Sequence, residues 1–236
     1  MGVSTVKAKD ALERANIQLI DEGAVRWPFP ELLKWLNDGL RQIAIMKPTA
    51  VAKPVVIPLV AGARQEIPSN ATQLLSVVRN VQDAASNPPI GLAGIITVDK
   101  ADMDASTPGW SDTGVWPGRK QVIHVMHDDA APRIFWVWPP NNGTGRVEAM
   151  LAVVPNDVPL PNAFNDLAAY NTDLDIDPIY LNALVEWILH KAYQKDEQMA
   201  GNAARADRHL ALFAESLGIR QQQEAARPPK PGMEGN

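Results

Sequence analysis

The most informative absence in this chain is cysteine, which does not occur among its 236 residues. Without thiols the protein has no disulfide, no thiolate nucleophile and no cysteine-ligated zinc. Such a composition fits a reducing cytoplasm, although it also fits other compartments. No apolar run approaches the roughly 18 residues that span a bilayer. Residues 1–20 carry charges where a signal peptide has an apolar core. We therefore expect a protein without a membrane span or a secretion signal.

Positively charged residues are also fewer than negatively charged ones. The chain has 22 Lys and Arg residues against 27 Asp and Glu residues, which gives a net charge of −5. A general nucleic-acid-binding domain normally carries a basic face or stripe, so the charge balance argues against that class. The hydrophobic fraction of 46% is that of an ordinary globular protein. A chain of this length forms one large domain or two small ones.

Helical periodicity characterises the first 50 residues. Apolar side chains recur at helical spacing over 5–21, and again from after Pro30 to about Met46. Gly39 lies inside the second segment, where it costs about 1 kcal/mol relative to alanine. The apolar seam of this segment includes three leucines: Leu33, Leu36 and Leu40. We predict an N-terminal helix pair within residues 1–50.

The C-terminal part predicts a second helix pair, over residues 178–218. Its first helix is apolar on nearly all sides, and such a helix must be covered by the rest of the chain or by other copies of it. Asp177 is expected to cap the start of the pair, and Gly218 is expected to end it. With the three leucines, the candidates for burial in a bundle or a subunit interface are Leu184, Trp187, Ile188 and Phe213.

Between the helix pairs, residues 51–155 form short apolar runs separated by Pro, Gly and Asn. We predict six or seven short strands in a small antiparallel sandwich or open barrel. Val55–Val60 and Ala63–Ile67 are expected to form a hairpin around an intervening glycine. Gln121–Met126 is expected to pair with Arg133–Trp138.

The predicted fold class is therefore α+β. The N- and C-terminal helix pairs form a helical bundle, and an antiparallel β-sandwich or barrel-like domain is inserted between them. Residues 156–177 are a Pro- and Asn-rich linker, and residues 219–236 are a tail with too few apolar side chains to pack alone. Its proline run favours an extended path that suits a docking arm. The docking candidates are Arg220, Arg227, Pro228, Pro229, Lys230 and Pro231.

No group of residues predicts a catalytic, cofactor or metal site. The repeat Asp173-x-Asp175-x-Asp177 resembles the start of a calcium-binding loop, but the glycine and glutamate that complete such a loop are missing. A capped helix start is the preferred interpretation. His124 and His127 are three residues apart, a spacing that places them on opposite faces of a strand. Neither a nucleophile elbow nor a phosphate-binding loop occurs in the sequence.

Trp136 and Trp138 lie on the same face of a predicted strand. An exposed pair could stack on sugars or bases, whereas a buried pair belongs to a core or an interface. The first possibility gives an alternative function, a tail-associated component that binds carbohydrate or a host surface. A third possibility is a soluble hydrolase whose site the sequence does not reveal.

Several motifs, taken in their order along the chain, resemble podovirus head-to-tail adaptor (connector) proteins of the portal-bound tail-tubular type. In the N-terminal part the motif is Arg26-Trp-Pro-x-x-Glu31-Leu-Leu-x-Trp-Leu-Asn-Asp38-Gly-x-Arg41-x-Ile43. In the middle the motifs are Val77-Val-Arg-Asn80, Pro108-Gly-Trp110 and Trp138-Pro-Pro140. In the C-terminal part they are Lys191-Ala-Tyr-x-Lys-Asp196 and Ala200-Gly-Asn-Ala-Ala-Arg205. The resemblance covers about residues 5–217.

The resemblance implies a structural virion protein without an active site or cofactor. Such a protein forms a homo-oligomeric ring, twelvefold in the family, beneath the portal protein. It extends the DNA ejection channel and gives the tail or nozzle protein a platform. It is made in the host bacterial cytoplasm and resides at the head-to-tail junction, with no membrane partner. An acidic channel wall would let DNA pass without specific binding.

Overall fold

The computed structural model describes residues 6–21, 23–82, 86 and 88–225, with the backbone alone for 219–225. This part of the chain is mixed α+β, as predicted. Its helices are α1 (Ala8–Leu19), α2 (Phe29–Met46), α3 (Lys100–Ser106), α4 (Leu181–Lys195) and α5 (Asn202–Ala225). Its strands are β1 (Ala52–Pro58), β2 (Ala61–Glu66), β3 (Ala71–Val81), β4 (Gly91–Gly94), β5 (Ile96–Thr97), β6 (His124–His127), β7 (Ile134–Asn142) and β8 (Arg146–Val153).

The described residues divide into two compact units. The helical unit draws on Met1–Lys47 and Pro155–Asn236, and the β unit comprises Pro48–Val154. The helical unit thus combines segments that are far apart in the sequence. Its core depends on contacts between the two ends of the chain.

Helix α4 is the central element of the helical unit. Helices α1, α2 and α5 all contact it. Leu184 and Ile188, in the middle of α4, are fully buried. Burial on several sides is what an almost continuously apolar helix requires. Residues of the same chain provide this cover.

Helices α2 and α4 approach each other closely at Gly39. A Cβ atom at this position would lie 2.8 Å from Cδ1 of Trp187 and 3.2 Å from Cδ2 of Leu184. The first of these distances is shorter than real Cβ contacts allow, so any larger residue would push against the indole ring. The glycine therefore permits the helix contact, although it lowers the intrinsic helix propensity of α2.

The segment 155–179 crosses the helical unit with little regular structure of its own. The side chain of Asn37 on α2 donates to the carbonyl oxygen of Val158 (3.1 Å) and accepts from its amide (2.9 Å). The amide of Ala8, at the start of α1, donates to the carbonyl oxygen of Thr172 (2.9 Å). These bonds hold the segment against α2 and against the N-terminal end of α1.

The β unit contains two four-stranded sheets, ordered β1-β8-β3-β4 and β2-β7-β6-β5. Neighbouring strands are antiparallel except β5 and β6, which are parallel. The sheets are open and do not close into a barrel, and the arrangement as a sandwich or an open barrel stays a prediction. Strands of both sheets contribute to one buried apolar cluster, which includes Ile57, Val77, Val125, Phe135, Val137, Val147 and Leu151.

The predicted hairpin between β1 and β2 does not form. Strand β1 pairs with β8, and β2 pairs with β7 in the other sheet. The chain changes sheets at Val60, where the buried side chain of Gln65 accepts from the Val60 amide (2.8 Å) and donates to its carbonyl oxygen (2.9 Å). A sheet switch and a hairpin share the same local pattern of apolar residues and turn residues, which is why the prediction was wrong. The predicted pairing of β6 with β7 is confirmed, with His124 opposite Trp138.

The last helix extends further than predicted. Helix α5 continues to Ala225, so the helix end expected at Gly218 is wrong. Residues 219–225 are helical, which shortens the part of the tail that could be extended. One glycine costs a helix about 1 kcal/mol, and the residues that follow it favour the helix enough to continue it.

Candidate interaction surfaces

The apolar residues predicted to lie in the bundle or at a subunit interface are buried within this chain. They are Leu33, Leu36, Leu40, Leu184, Trp187, Ile188 and Phe213. The most exposed of them, Trp187, retains 8% of its surface. The rings of Trp187 and Phe213 are in contact, with centroids 5.1 Å apart. These side chains form an internal core and leave no surface for a neighbouring copy.

The tail residues predicted to dock on the portal lie at or beyond the described end of the chain. Arg220 belongs to the helical backbone of α5. The others lie outside the described residues: Arg227, Pro228, Pro229, Lys230 and Pro231. Their role stays a prediction.

The aspartates of the calcium-like repeat have structural partners. Asp173 lies 3.3 Å from the ammonium of Lys7. The side chain of Asp177 accepts from the amide of Ile179 (2.9 Å), so the predicted helix cap is present. Nowhere in the described ranges do three His, Asp or Glu side chains come together in a way that could hold a metal ion.

Two aromatic rings already pack on the Trp138 indole. His124 stacks on it at 5.4 Å between centroids, and Trp116 forms a T-shaped pair with it at 5.3 Å. Trp136 and Trp138 are half-buried against a small cluster formed by Ala63, Met103, Trp110 and Met126. A sugar or base could stack on the face that His124 covers only by displacing the imidazole. The arrangement therefore does not favour the carbohydrate-binding alternative.

Asp104 organises the surface next to α3. It accepts from the ammonium of Lys100 (2.7 Å) and from the indole N–H of Trp110 (2.7 Å). The hydrogen bond from Lys100 and then that from Trp110 hold the pKa of Asp104 below its ordinary value. A carboxylate stabilised in this way is a poor proton donor near neutral pH.

Three exposed apolar side chains lie at the C-terminal end of α1 and in the loop that follows. They are Ile17 (67% exposed), Ile20 (89%) and Val25 (83%), and we call them the α1 knob. Beside the knob is a cavity of about 240 Å³ whose lining includes Trp27 and Arg205. No sequence pattern indicated the knob, because helical periodicity does not show which apolar residues a fold leaves uncovered.

One carboxylate holds the loop that carries Val25. The side chain of Asp21 accepts from the backbone amides of Val25 (3.1 Å), Arg26 (3.0 Å) and Trp27 (2.9 Å). The guanidinium of Arg26 lies over the Trp27 ring, 4.7 Å from its centroid, and pairs with Asp196 at 2.7 Å. The loop is thus tied both to itself and to the end of α4.

The chain matches the model of the family described as SU10 adaptor protein over residues 6–232. It belongs to this family. The match confirms the resemblance to phage head-to-tail adaptors, and with it a structural role in the virion. A comparison with curated proteins gives no match.

In this SU10 adaptor family member, residues of the resembling motifs occupy structural positions. Trp27 is buried, and Gly39 permits the contact between α2 and α4. Arg79 pairs with Glu148 at 2.6 Å, and Asn80 is 1% exposed. Such residues define the fold rather than a reaction. No helix in the described part of the adaptor has the length and hydropathy required of a membrane span.

Proposed function

We propose that this protein is a head-to-tail adaptor that forms a twelvefold ring beneath the portal. The ring extends the DNA channel and offers the tail or nozzle protein a platform. The family match over residues 6–232, which includes residues of both units, is the observation that carries the proposal. The twelvefold symmetry comes from the resemblance. The adaptor acts by assembly, without catalysis or a cofactor.

The proposed architecture assigns each part of the chain a role. Helices from residues 1–50 and from 178 to the end of α5 form one bundle, and the linker 156–177 leads from the inserted domain back to it. The sheets form a sandwich inserted at 51–155. Burial of α4 on several sides supports the bundle, and the apolar cluster shared by both sheets supports the sandwich.

Charge is consistent with a DNA channel. The net charge of −5 gives a ring of many copies a negative field that repels phosphate. DNA would then pass without specific binding. The tail carries Arg227 and Lys230, and we propose that it docks on the portal or on an adjacent subunit through many weak contacts.

Electron cryomicroscopy of the purified protein, alone and with purified portal rings, tests the proposal. The expected result is a class average with twelvefold symmetry bound coaxially to the portal. A chain that ends at Ala225 retains all of α5 and should bind the portal more weakly. Full-length protein that stays monomeric in the presence of portal rings would contradict the adaptor function. Equal portal binding by the shortened chain would contradict tail docking alone.

A further inference from the structure

The α1 knob (Ile17, Ile20 and Val25) is a surface without a role inside the chain. Single exposed apolar side chains are common on proteins. Here three large aliphatic side chains, each at least 67% exposed, lie within nine residues of sequence. Grouped apolar side chains on a surface commonly indicate a contact with another molecule.

The backbone of Ile20 makes its exposure more unusual. Ile20 follows the last residue of α1 with φ 56° and ψ 45°, in the left-handed region. Glycine is the usual residue at this position of a helix end, and a β-branched residue there is strained. The Ile20 amide donates to the carbonyl oxygens of Asn16 and Ile17, but the side chain is 89% exposed and packs little against this chain. A contact with another molecule would bury it.

Hydrogen bonds also hold the backbone near Val25. Asp21 accepts from three backbone amides of the loop, and Trp27, at the end of the loop, is only 5% exposed. Backbone that is already held in its binding conformation loses little conformational entropy on association.

A positively charged side chain lies beside Ile20 of the knob. The guanidinium of Arg205 lines the cavity beside Ile20 and lies over the ring of Tyr193, 5.6 Å from its centroid. Among the described residues, no carboxylate forms an ion pair with Arg205. The knob thus combines apolar side chains with an unpaired positive charge, and a complementary surface would be apolar and acidic.

The chain itself provides such a surface. Residues 155–179, which we call the acidic strip, contain five aspartates and no Lys or Arg. Asp157 pairs with Arg41 and Asp173 with Lys7, whereas Asp166, two residues from Phe164, is exposed and forms no ion pair among the described residues. The strip exposes Leu160 (55%) and Phe164 (45%). The hydroxyl of Tyr170 donates to the carbonyl oxygen of Phe164 (2.7 Å), and the amide of Lys9 donates to the carbonyl oxygen of Tyr170 (2.9 Å). This part of the strip therefore lies at the N-terminal end of α1.

The knob and this part of the strip lie at opposite ends of one helix. Helix α1 has 12 residues, which corresponds to about 18 Å at the usual rise per residue. The knob of one copy can then meet the strip of another copy. A contact between two different surfaces of identical chains is heterologous, and such contacts generate rings when the rotation closes.

We propose that the α1 knob of one subunit docks on the acidic strip of the next subunit around the ring. The aliphatic side chains of the knob pack against Leu160 and Phe164, and Arg205 pairs with Asp166. This inference rests on the proposed ring and names the two surfaces that build it. The contact also buries the side chain of Ile20, which is exposed in the single subunit and lies on strained backbone.

The substitution Ile20→Gly distinguishes a role of Ile20 in the subunit contact from a role in the stability of the single subunit. Glycine accepts the left-handed conformation without strain, so the subunit should be as thermally stable as the wild type or more stable. Self-association should weaken by about tenfold or more, because the central apolar contact is lost. Analytical ultracentrifugation measures the association. The matched control is Ala24→Gly, at φ 48°, which also relieves strain but removes no exposed aliphatic side chain and should assemble normally.

Mixing two variants tests the pairing of the surfaces. A knob variant (Ile20→Gly with Val25→Ser) and a strip variant (Leu160→Ser with Phe164→Ser) should each fold and stay monomeric. A mixture should form one-to-one dimers, seen by native mass spectrometry, because each variant keeps one intact surface. If the wild type forms rings and the knob variant assembles equally well, the proposed knob–strip contact is wrong, while the ring itself is still supported. A wild-type chain that stays monomeric even with portal rings would overturn the ring itself.

Discussion

The helical unit and the β unit satisfy their backbone hydrogen-bonding groups in different ways. Within the helices the amides bond locally, and apolar packing around α4 joins the elements. The β unit uses buried amide side chains where its strands end or change sheets. Asn80 donates to the carbonyl oxygens of Ala93 (3.0 Å) and Val122 (2.8 Å) and accepts from the Val122 amide (2.9 Å). Its side chain thus connects β3 to β4 and to the segment before β6.

Asn141 has the same role at the other end of the β unit. Its amide group donates to the carbonyl oxygens of Arg119 (3.0 Å) and Lys120 (2.9 Å). Its carbonyl oxygen accepts from the amides of Gly143 (2.8 Å) and Gly145 (3.1 Å). Buried backbone groups must find partners, and short strands in two open sheets leave more of them to side chains. The helical unit should therefore be most sensitive to loss of apolar volume, and the β unit to loss of an amide.

The largest effect is expected from Trp187→Ala in the helical unit. The side chain is 8% exposed and contacts Phe213. Its removal should lower the free energy of unfolding by about 3–5 kcal/mol, as measured by urea denaturation. Peptide-resolved hydrogen exchange should become faster in α2, α4 and α5. Equal acceleration throughout the β unit would contradict a difference between the two units.

Asn141→Ala should have the next largest effect, confined to the β unit. It removes four hydrogen bonds to backbone groups, of which only the Arg119 carbonyl oxygen keeps another partner among the described residues, the Asn142 amide. We expect a loss of about 2–3 kcal/mol in unfolding free energy. The neighbouring Asn142→Ala is the matched control, since that side chain is exposed. Hydrogen exchange at Gly143 and Gly145 reports the change. Equal stability of the two variants would show that water replaces the amide at little cost.

Gly39→Ala should destabilise the helical unit, although alanine is the better helix former. The new methyl group would lie 2.8 Å from the Trp187 ring, and overpacking of this kind costs about 1–3 kcal/mol. Gly218→Ala is the control, because nothing lies within 4 Å of its added Cβ, and it should stabilise by up to about 1 kcal/mol. Thermal denaturation measures both. If Gly39→Ala raised the thermal stability, α2 and α4 would be able to move apart without a loss of stability.

The smallest effect concerns the pH dependence at Asp104. Its folded-state pKa is lowered, so its contribution to stability is present above the unfolded-state pKa. That contribution is lost as the pH falls through the folded-state value. Lys100→Gln should raise the pKa of Asp104 towards its ordinary value, as followed by NMR titration of the carboxyl carbon. Trp110→Phe should raise it by less. An unchanged pKa of Asp104 in both variants would show that these two hydrogen bonds do not lower it.

The sequence predicted best those features that depend on neighbouring residues. Asp177 accepts from the amide of Ile179, as expected of a helix cap. Strands β6 and β7 are close in sequence, and their pairing was predicted as well. The partners of β1 and β2 could not be inferred in the same way, because β7 and β8 lie far along the chain.

The candidate surface was the hardest part to predict. Ile17 and Leu19 are both aliphatic residues of α1, yet the first is 67% exposed and the second 6%. Leu184 and Ile188 belong to a helix that is apolar on nearly all sides, and the sequence alone cannot show whether the same chain or another copy covers it. Only the tertiary structure shows that this cover is internal and that the uncovered residues lie elsewhere.

The insertion of the β unit has a consequence for synthesis on the ribosome. The residues of the β unit leave the ribosome before α4 and α5 do, so this unit can fold while the nascent chain is still growing. Helices α1 and α2 emerge first, but they cannot complete their packing until α4, the helix they contact, has been synthesised. A chain that terminates within the β unit therefore lacks the core that positions Ile20, and it also lacks residues 155–179. Such a chain carries neither surface that the proposed ring requires, so we expect it to stay out of the assembly.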